Sequence, residues 1–295
     1  MHILVTGGTG FIGSALLPAL RGQGWQLTVL TRQDLPPQEG CSFVQDLSTL
    51  PAETSIDAVI NLAGASLAAR RWTPAYKREI VESRLHTTQA VLDLVERLHS
   101  PPSTLLSGSA IGYYGHHGDE PLDEQGPVVT GFAQELCQSW EGLALEAPAP
   151  VRVCLLRLGV VLGPKGGALQ ELLRSYQFGV ASWLGAGQQW MSWVHRDDVV
   201  NAILFLLQHP ELSGPFNITA PEAVTARDFS ECLKRYRRTW MSAALPAPVA
   251  RLMLGEVADE LLLNGQRVVP RALQEAGFEF RYPRLRDALD NILES

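Results

Sequence analysis

Met1 to Leu20 reads MHILVTGGTGFIGSALLPAL, and the fold is decided there. His2 to Thr6 is a short apolar run rich in branched residues, the composition of a buried strand. Gly7, Gly10 and Gly13 follow at G-x-x-G-x-x-G spacing. From Phe11 the apolar residues switch to helical spacing: Phe11, Ile12, Ala15, Leu16, Ala19 and Leu20. A strand, a glycine turn and a helix start make an anion site, because unpaired amides and the helix dipole both favour negative charge there. Gly7 permits the tight turn, Gly10 lets backbone approach a pyrophosphate, and Gly13 lets helix and strand pack closely. The stretch from Gly7 through Thr9, Gly10, Phe11 and Ile12 to Gly13 is therefore assigned to the diphosphate of a dinucleotide. A glycine-rich turn that binds nothing is the alternative.

The second strand, Gln26 to Thr31, tests that assignment. It ends at Arg32, about 20 residues past the turn, where an acidic residue selects NAD and an arginine accommodates the 2′-phosphate of NADP. A guanidinium offers phosphate several donors in a fixed fork, and Thr31 adds a hydroxyl. The cofactor expected is NADP (NADPH). Asp34 keeps an NAD reading open, and a plain surface arginine is the bland one.

Ser42 to Gln45, Asp57 to Leu62, Thr104 to Ser107 and Val151 to Leu156 read as further strands. Helices read at Thr73 to His99, with Thr-Pro at its start, and at Phe132 to Ala147. Strands alternating with helices predict an α/β fold with a doubly wound parallel sheet of Rossmann type. In such sheets ligands bind at the carboxyl ends of the strands. Ala63-Gly64-Ala65 lies at one such end, and SGSAIGYYG, Ser107 to Gly115, at another. Beyond Gly167 the spacing predicts helices at Ala168 to Phe178, Val199 to Leu207 and Thr225 to Tyr236, with one more strand at Gly214 to Thr219. Asp197 or Asp198 reads as the cap of the middle helix. Gly179 to Trp193 reads as a loop rich in glycine and tryptophan, and Trp183, Trp190 and Trp193 there fit either an aromatic wall for a substrate ring or interior packing.

Composition narrows the function. The chain has 295 residues, 46% of them hydrophobic, enough for one large domain or two unequal ones. A net charge of -7 argues against nucleic acid or an anionic membrane as partner. The chain opens directly on a strand rather than a signal peptide, and no apolar run approaches the ~18 residues of a span. Cys41, Cys137, Cys154 and Cys232 are scattered, which suits a reducing, cytoplasmic setting and offers no metal site. His116 and His117 beside Asp119 and Glu120 read as an exposed loop, not a metal centre, and Lys165-Gly166-Gly167 reads as a turn. The oligomeric state has no signature in the sequence.

TGGTGFIG (Thr6 to Gly13), NLAG (Asn61 to Gly64), YYG (Tyr113 to Gly115) and WVHRDD (Trp193 to Asp198) resemble the extended short-chain dehydrogenase/reductase superfamily. That group includes NAD(P)-dependent sugar-nucleotide epimerases and dehydratases. Closer still is its "epimerase family protein" branch, which the chain resembles in RRW (Arg70 to Trp72), ESRL (Glu82 to Leu85), CQSWE (Cys137 to Glu141), RLGVVLG, and a C-terminal module over Ala247 to Leu293. The resemblance implies an NADP-binding fold with Thr31 and Arg32 at the 2′-phosphate and Leu62, Ala63 and Gly64 along the cofactor. It also implies contacts from Glu79, Arg84 and Val161. Read from spacing alone, Glu79 and Arg84 are a helix-surface ion pair. By the same analogy, residues 1–163 form the NADP-binding Rossmann domain, to which 194–222 return. Residues 164–193 and 223–295 form a smaller C-terminal substrate domain.

One departure from the family pattern matters. Active members use a Ser or Thr, a Tyr, and a Lys four residues after the Tyr, which lowers its pKa for proton transfer. Ser109 fills the hydroxyl position, but the Tyr and Lys positions fall near Ala133 and Cys137. Tyr113 and Tyr114 follow Ser109 closely and are the remaining catalytic candidates, although an unassisted tyrosine titrates near about 10. Structural packing of both is the alternative. The expected function is that of an NADP-dependent oxidoreductase or epimerase-like enzyme on an unknown small-molecule substrate, a sugar nucleotide or small carbonyl compound. The competing reading is a non-catalytic NADP(H)-binding sensor or scaffold.

Overall fold

The computed structural model describes residues 1–67 and 69–294. Its centre is a seven-stranded sheet of β1 (His2–Thr6), β2 (Gln26–Leu30), β3 (Cys41–Val44), β4 (Ala58–Asn61), β5 (Thr104–Ala110), β6 (Arg152–Leu158) and β7 (Gly214–Ile218). The order is β7-β6-β5-β4-β1-β2-β3, and every neighbouring pair is parallel. A parallel sheet has both faces covered, so its strands are apolar on both sides. Ile3 and Val5 enter one core with Ala58, Ile60 and Leu106; Leu4 enters the other with Val59 and Leu105. The first core is closed by α1 (Gly13–Gly22) and α5 (Arg196–Gln208), the second by α2 (Pro74–Arg97) and α3 (Phe132–Ala144). α2 starts as its Thr-Pro signature predicts, with Thr73 accepting the Tyr76 amide.

Four expectations are revised. β5 runs three residues past Ser107, because Gly108, Ser109 and Ala110 pair with Leu156, Arg157 and Leu158 of β6. The helix expected at Ala168 to Phe178 is shorter, α4 (Gly167–Leu172), followed by a 3₁₀ turn at Ser175–Phe178. The Gly- and Trp-rich loop contains strands: Val180–Leu184 pairs with Met241–Leu245, and Trp190–Met191 with Val224–Thr225. Finally, α5 is capped not by an aspartate but by His195, whose Nδ1 accepts the Asp197 amide at 3.0 Å.

Asp198 does other work. It is fully buried and accepts the amides of Arg281 and Tyr282 at 2.8 and 2.9 Å, fastening the C-terminal segment to α5. Glu124 makes the same kind of joint, accepting from Asn217 at 3.0 Å and from Ala272 of α7 (Arg271–Glu275) at 3.1 Å. Burial pushes both carboxyls above their usual range. A third core joins Trp193, Tyr176 and Phe229 to Tyr282 and the apolar face of α8 (Leu285–Glu294), between α6 (Ala226–Leu233) and the end of the chain.

His195 gives this joint a pH dependence. The ring is buried against Tyr282, centroids 4.0 Å apart, and burial lowers its pKa below 6.5. A histidine depressed in the folded state stabilises the fold above the unfolded pKa and loses that contribution as pH falls through the folded value. Protonation also removes the Nδ1 acceptor that caps α5. His195→Asn keeps a capping acceptor that does not titrate. Between about pH 7.5 and about pH 5, the wild type is expected to lose more stability than His195→Asn in urea unfolding. Equal losses would show that the ring does not carry this dependence.

Candidate cofactor and active site

The chain passes from β1 to β2 on one side and later to β4 on the other, so strand order reverses between β1 and β4. The glycine turn sits at that point. Gly7 has φ +70°, and a Cβ there would lie 2.7 Å from the Leu62 carbonyl carbon and 2.9 Å from the Ala63 nitrogen. At Gly13 a methyl would overlap the carbonyl oxygens of Gly7 and Gly8. Gly10 donates its amide to Gly7 at 3.0 Å and is otherwise open. No side chain caps α1, whose amide end begins at Ile12 and follows Thr9 and Phe11 in the turn. The cradle is shaped for a group without side chains to displace, as a diphosphate requires.

A chain of buried hydrogen bonds fixes the facing loop. Thr6 Oγ1 donates to Asn61 Oδ1 at 2.6 Å and accepts the Ala63 amide at 3.1 Å. Asn61 Nδ2 and Trp140 Nε1 both donate to Thr88 Oγ1, at 2.8 and 3.0 Å. The ESRL tetrapeptide holds the next residues: Ser83 accepts the Ala65 amide at 2.9 Å, and Arg84 donates to the Ala65 and Ile80 carbonyls at 3.1 and 2.9 Å. Arg84 packs beneath Gly64 and 5.2 Å above the Trp140 ring, and burial lowers its pKa. Among the described residues Arg84 has no carboxylate within ion-pair distance, and it stands at the switch point with two carbonyls as its acceptors. Glu79 instead stands on the exposed side of α2, 3.7 Å from Arg70. Val161 is half-buried in the short strand Val160–Leu162. At the end of β2 Thr31 is buried and accepts the Gln33 amide at 3.2 Å, while Arg32 and Asp34 are exposed.

Ser109 lies at the end of β5, only 2% exposed, and donates to Glu141 at 2.6 Å. Glu141 is held by both ends of a guanidinium, Arg157 Nε at 2.8 Å and Nη2 at 2.9 Å. Arg157 also donates to the Tyr114 hydroxyl at 3.0 Å and the Glu124 carbonyl at 3.1 Å. Tyr114 in turn donates to Asn217 at 2.6 Å. This places Tyr114, expected as a candidate proton carrier, inside the protein. It is 0% exposed, its hydroxyl is spent on Arg157 and Asn217, and burial pushes its pKa up to about 12. Tyr113 is half-buried, with the Arg157 guanidinium 3.5 Å from its ring centroid. The 3₁₀ turn that carries both tyrosines packs on α3 over Ala133 and Cys137, the two positions of the missing pair. Both are buried, and the Cys137 thiol is raised to about 11, first by burial and then by Glu141.

Sequence reading missed Glu141 and Arg157. The available signal was one charged residue inside each of two apolar frames, SWEGL and LLRLG. The three tryptophans do not form a single wall. Trp193 is fully buried, whereas Trp183 and Trp190 are half-buried beneath Arg227 and Arg267. His117 is paired with Glu120 at 2.9 Å, and among the described residues no group of His, Cys, Asp and Glu is placed to hold a metal ion. Among them, too, no helix is long and apolar enough to cross a membrane.

Residues 3–219 match the NAD dependent epimerase/dehydratase family, and residues 245–292 match a domain of unknown function, DUF1731. The chain belongs to the NAD dependent epimerase/dehydratase family. Relatives from this family include an epimerase family protein of Mycobacterium leprae, 37% identical over 97% of this chain and 94% of its own. The chloroplastic SDR39U1 homolog of Arabidopsis thaliana is 38% identical over 100% of this chain and 87% of its own. Among solved structures, human epimerase family protein SDR39U1 (isoform2) with NADPH superposes with a TM-score of 0.92 at 31% identity, covering 100% of both chains. MoeE5, solved with UDP-glucuronic acid and NAD, has a TM-score of 0.78 over 100% of this chain and 98% of its own, at 22% identity, and shares the fold.

Proposed function

We propose that this epimerase/dehydratase-family protein binds NADP(H) and catalyses an oxidation–reduction at a carbonyl or hydroxyl carbon of a small substrate. The observation that carries the cofactor is the glycine cradle, with the Arg84 guanidinium packed under Gly64 beside it and an exposed Arg32 at the end of β2. The human relative solved with NADPH supports the choice of NADP(H). When bound, the nicotinamide supplies or accepts the hydride. The protein's own part is played at Ser109. Because its hydrogen is given to Glu141, its oxygen is left as an acceptor for a substrate hydroxyl, and Arg157 holds both carboxylate oxygens in place. Substrate proton, Ser109 and Glu141 then form one line along which a proton passes without Tyr and Lys.

A second reading has an observation of its own. Ala133 and Cys137 occupy the usual Tyr and Lys positions and Tyr114 is sealed in the core, which suits a non-catalytic NADP(H) sensor or scaffold. The test is NADPH-loaded protein offered aldehydes, ketones and sugar nucleotides. Stereospecific NADPH oxidation is expected, reduced about 10²-fold or more in Ser109→Ala at unchanged NADPH affinity. Tight NADPH binding without turnover across the panel decides for the sensor.

A further inference from the structure

Opposite the glycine turn, a cleft of about 490 Å³ has a wall that the diphosphate assignment leaves unused. Thr9, Gly10, Phe11 and Ser14 form one side, and Lys165 and Arg196 stand on the other. Among the described residues no acidic one lines it, although the chain as a whole carries -7. Two cations and a helix amide end therefore surround one space with no protein anion between them.

The wall is built for this placement. Arg196 is the first residue of α5, and its guanidinium lies 5.0 Å from the centroid of the Phe11 ring. Its Nε is buried and has no hydrogen-bond partner, an unmet donor beside the cleft. Lys165 has φ +59°, a left-handed conformation that a non-glycine residue adopts only where the surroundings hold it. They do so through Phe11. A Cβ on Gly163 would stand 3.1 Å from the Phe11 ring and 3.0 Å from the Arg196 Cβ, and one on Gly167 would stand 2.7 Å from the same ring. The segment 163–167 is thus seated on Phe11, inside the glycine motif itself.

We propose that Lys165 and Arg196 form a clamp that grips the dinucleotide's diphosphate from the side opposite the glycine turn. This rests on the NADP(H) reading above. The diphosphate carries two negative charges, and each cation supplies a charge-assisted hydrogen bond to one of its phosphates. Phe11 positions the clamp by bearing both the flap and the guanidinium.

The test is calorimetric titration of wild type, Lys165→Gln, Arg196→Gln and the double variant with NADPH and with 2′-AMP. The latter carries the adenosine and its 2′-phosphate but no diphosphate. Each single variant is expected to weaken NADPH about tenfold and the double about a hundredfold, while 2′-AMP affinity stays within about twofold. In the wild type NADPH is expected to slow tryptic cleavage after Lys165, and 2′-AMP to leave it unchanged. A double variant that binds NADPH like the wild type overturns the clamp and leaves the cofactor reading intact. Equal weakening of both ligands overturns the diphosphate assignment. A wild type that binds neither overturns the cofactor reading and the clamp with it.

Discussion

Replacing Arg157 with leucine is expected to lower the free energy of unfolding by about 3–5 kcal/mol. The substitution leaves Glu141 buried at 5% exposure with its charge uncompensated and Ser109 as its remaining polar partner. It also strips a donor from the Tyr114 hydroxyl and another from the Glu124 carbonyl, two groups sealed in the same interior. Desolvation explains the asymmetry. A buried ion pair contributes modestly relative to an apolar pair, but half of one is costly. The double variant Glu141→Leu, Arg157→Leu is therefore expected to recover more than half of the loss. Urea unfolding of the three proteins checks this, and a double variant less stable than Arg157→Leu would contradict the account of the pair.

Gly13→Ala is expected to weaken NADPH binding by at least about a hundredfold. The new methyl has to displace the carbonyls of Gly7 and Gly8, main-chain atoms that cannot rotate away. Opening the turn scatters the amides that the diphosphate needs, and one lost charge-assisted hydrogen bond is already worth about tenfold. Gly22→Ala, at the other end of the same helix, supplies the control. A Cβ there meets nothing within 4 Å, so binding is expected to be unchanged and the helix slightly strengthened. Comparable loss in both variants would mean that helix α1, not the turn, sets affinity.

The sheet was legible in the sequence because its strands are short apolar runs and the crossovers through α1, α2, α3 and α5 carry helical spacing, both local signals. The same holds for the glycine cradle and for Thr73 capping α2. What stayed hidden depends on residues far apart in the chain. Ser109 meets Glu141 across 32 positions and Tyr114 meets Asn217 across 103, so the burial of neither can be read from its neighbours in the chain. The cap of α5 was assigned to an aspartate because aspartates are common caps. Tertiary structure diverts Asp198 to the C-terminal segment and leaves the cap to a histidine ring. The short strands at Val180–Leu184 and Trp190–Met191 escaped because their partners lie at Met241–Leu245 and Val224–Thr225, in another part of the chain. Lys165 is legible as a turn residue, but its company with Arg196 and Phe11 exists only in three dimensions.

Calorimetric titration of the folded wild-type protein with NADPH and with NADH tests the central claim most directly. Saturable one-to-one binding of NADPH, at least about tenfold tighter than that of NADH, is the result expected from amides around a diphosphate and a guanidinium at the 2′-phosphate. No heat of association with either nucleotide, or equal affinity for both, would contradict it.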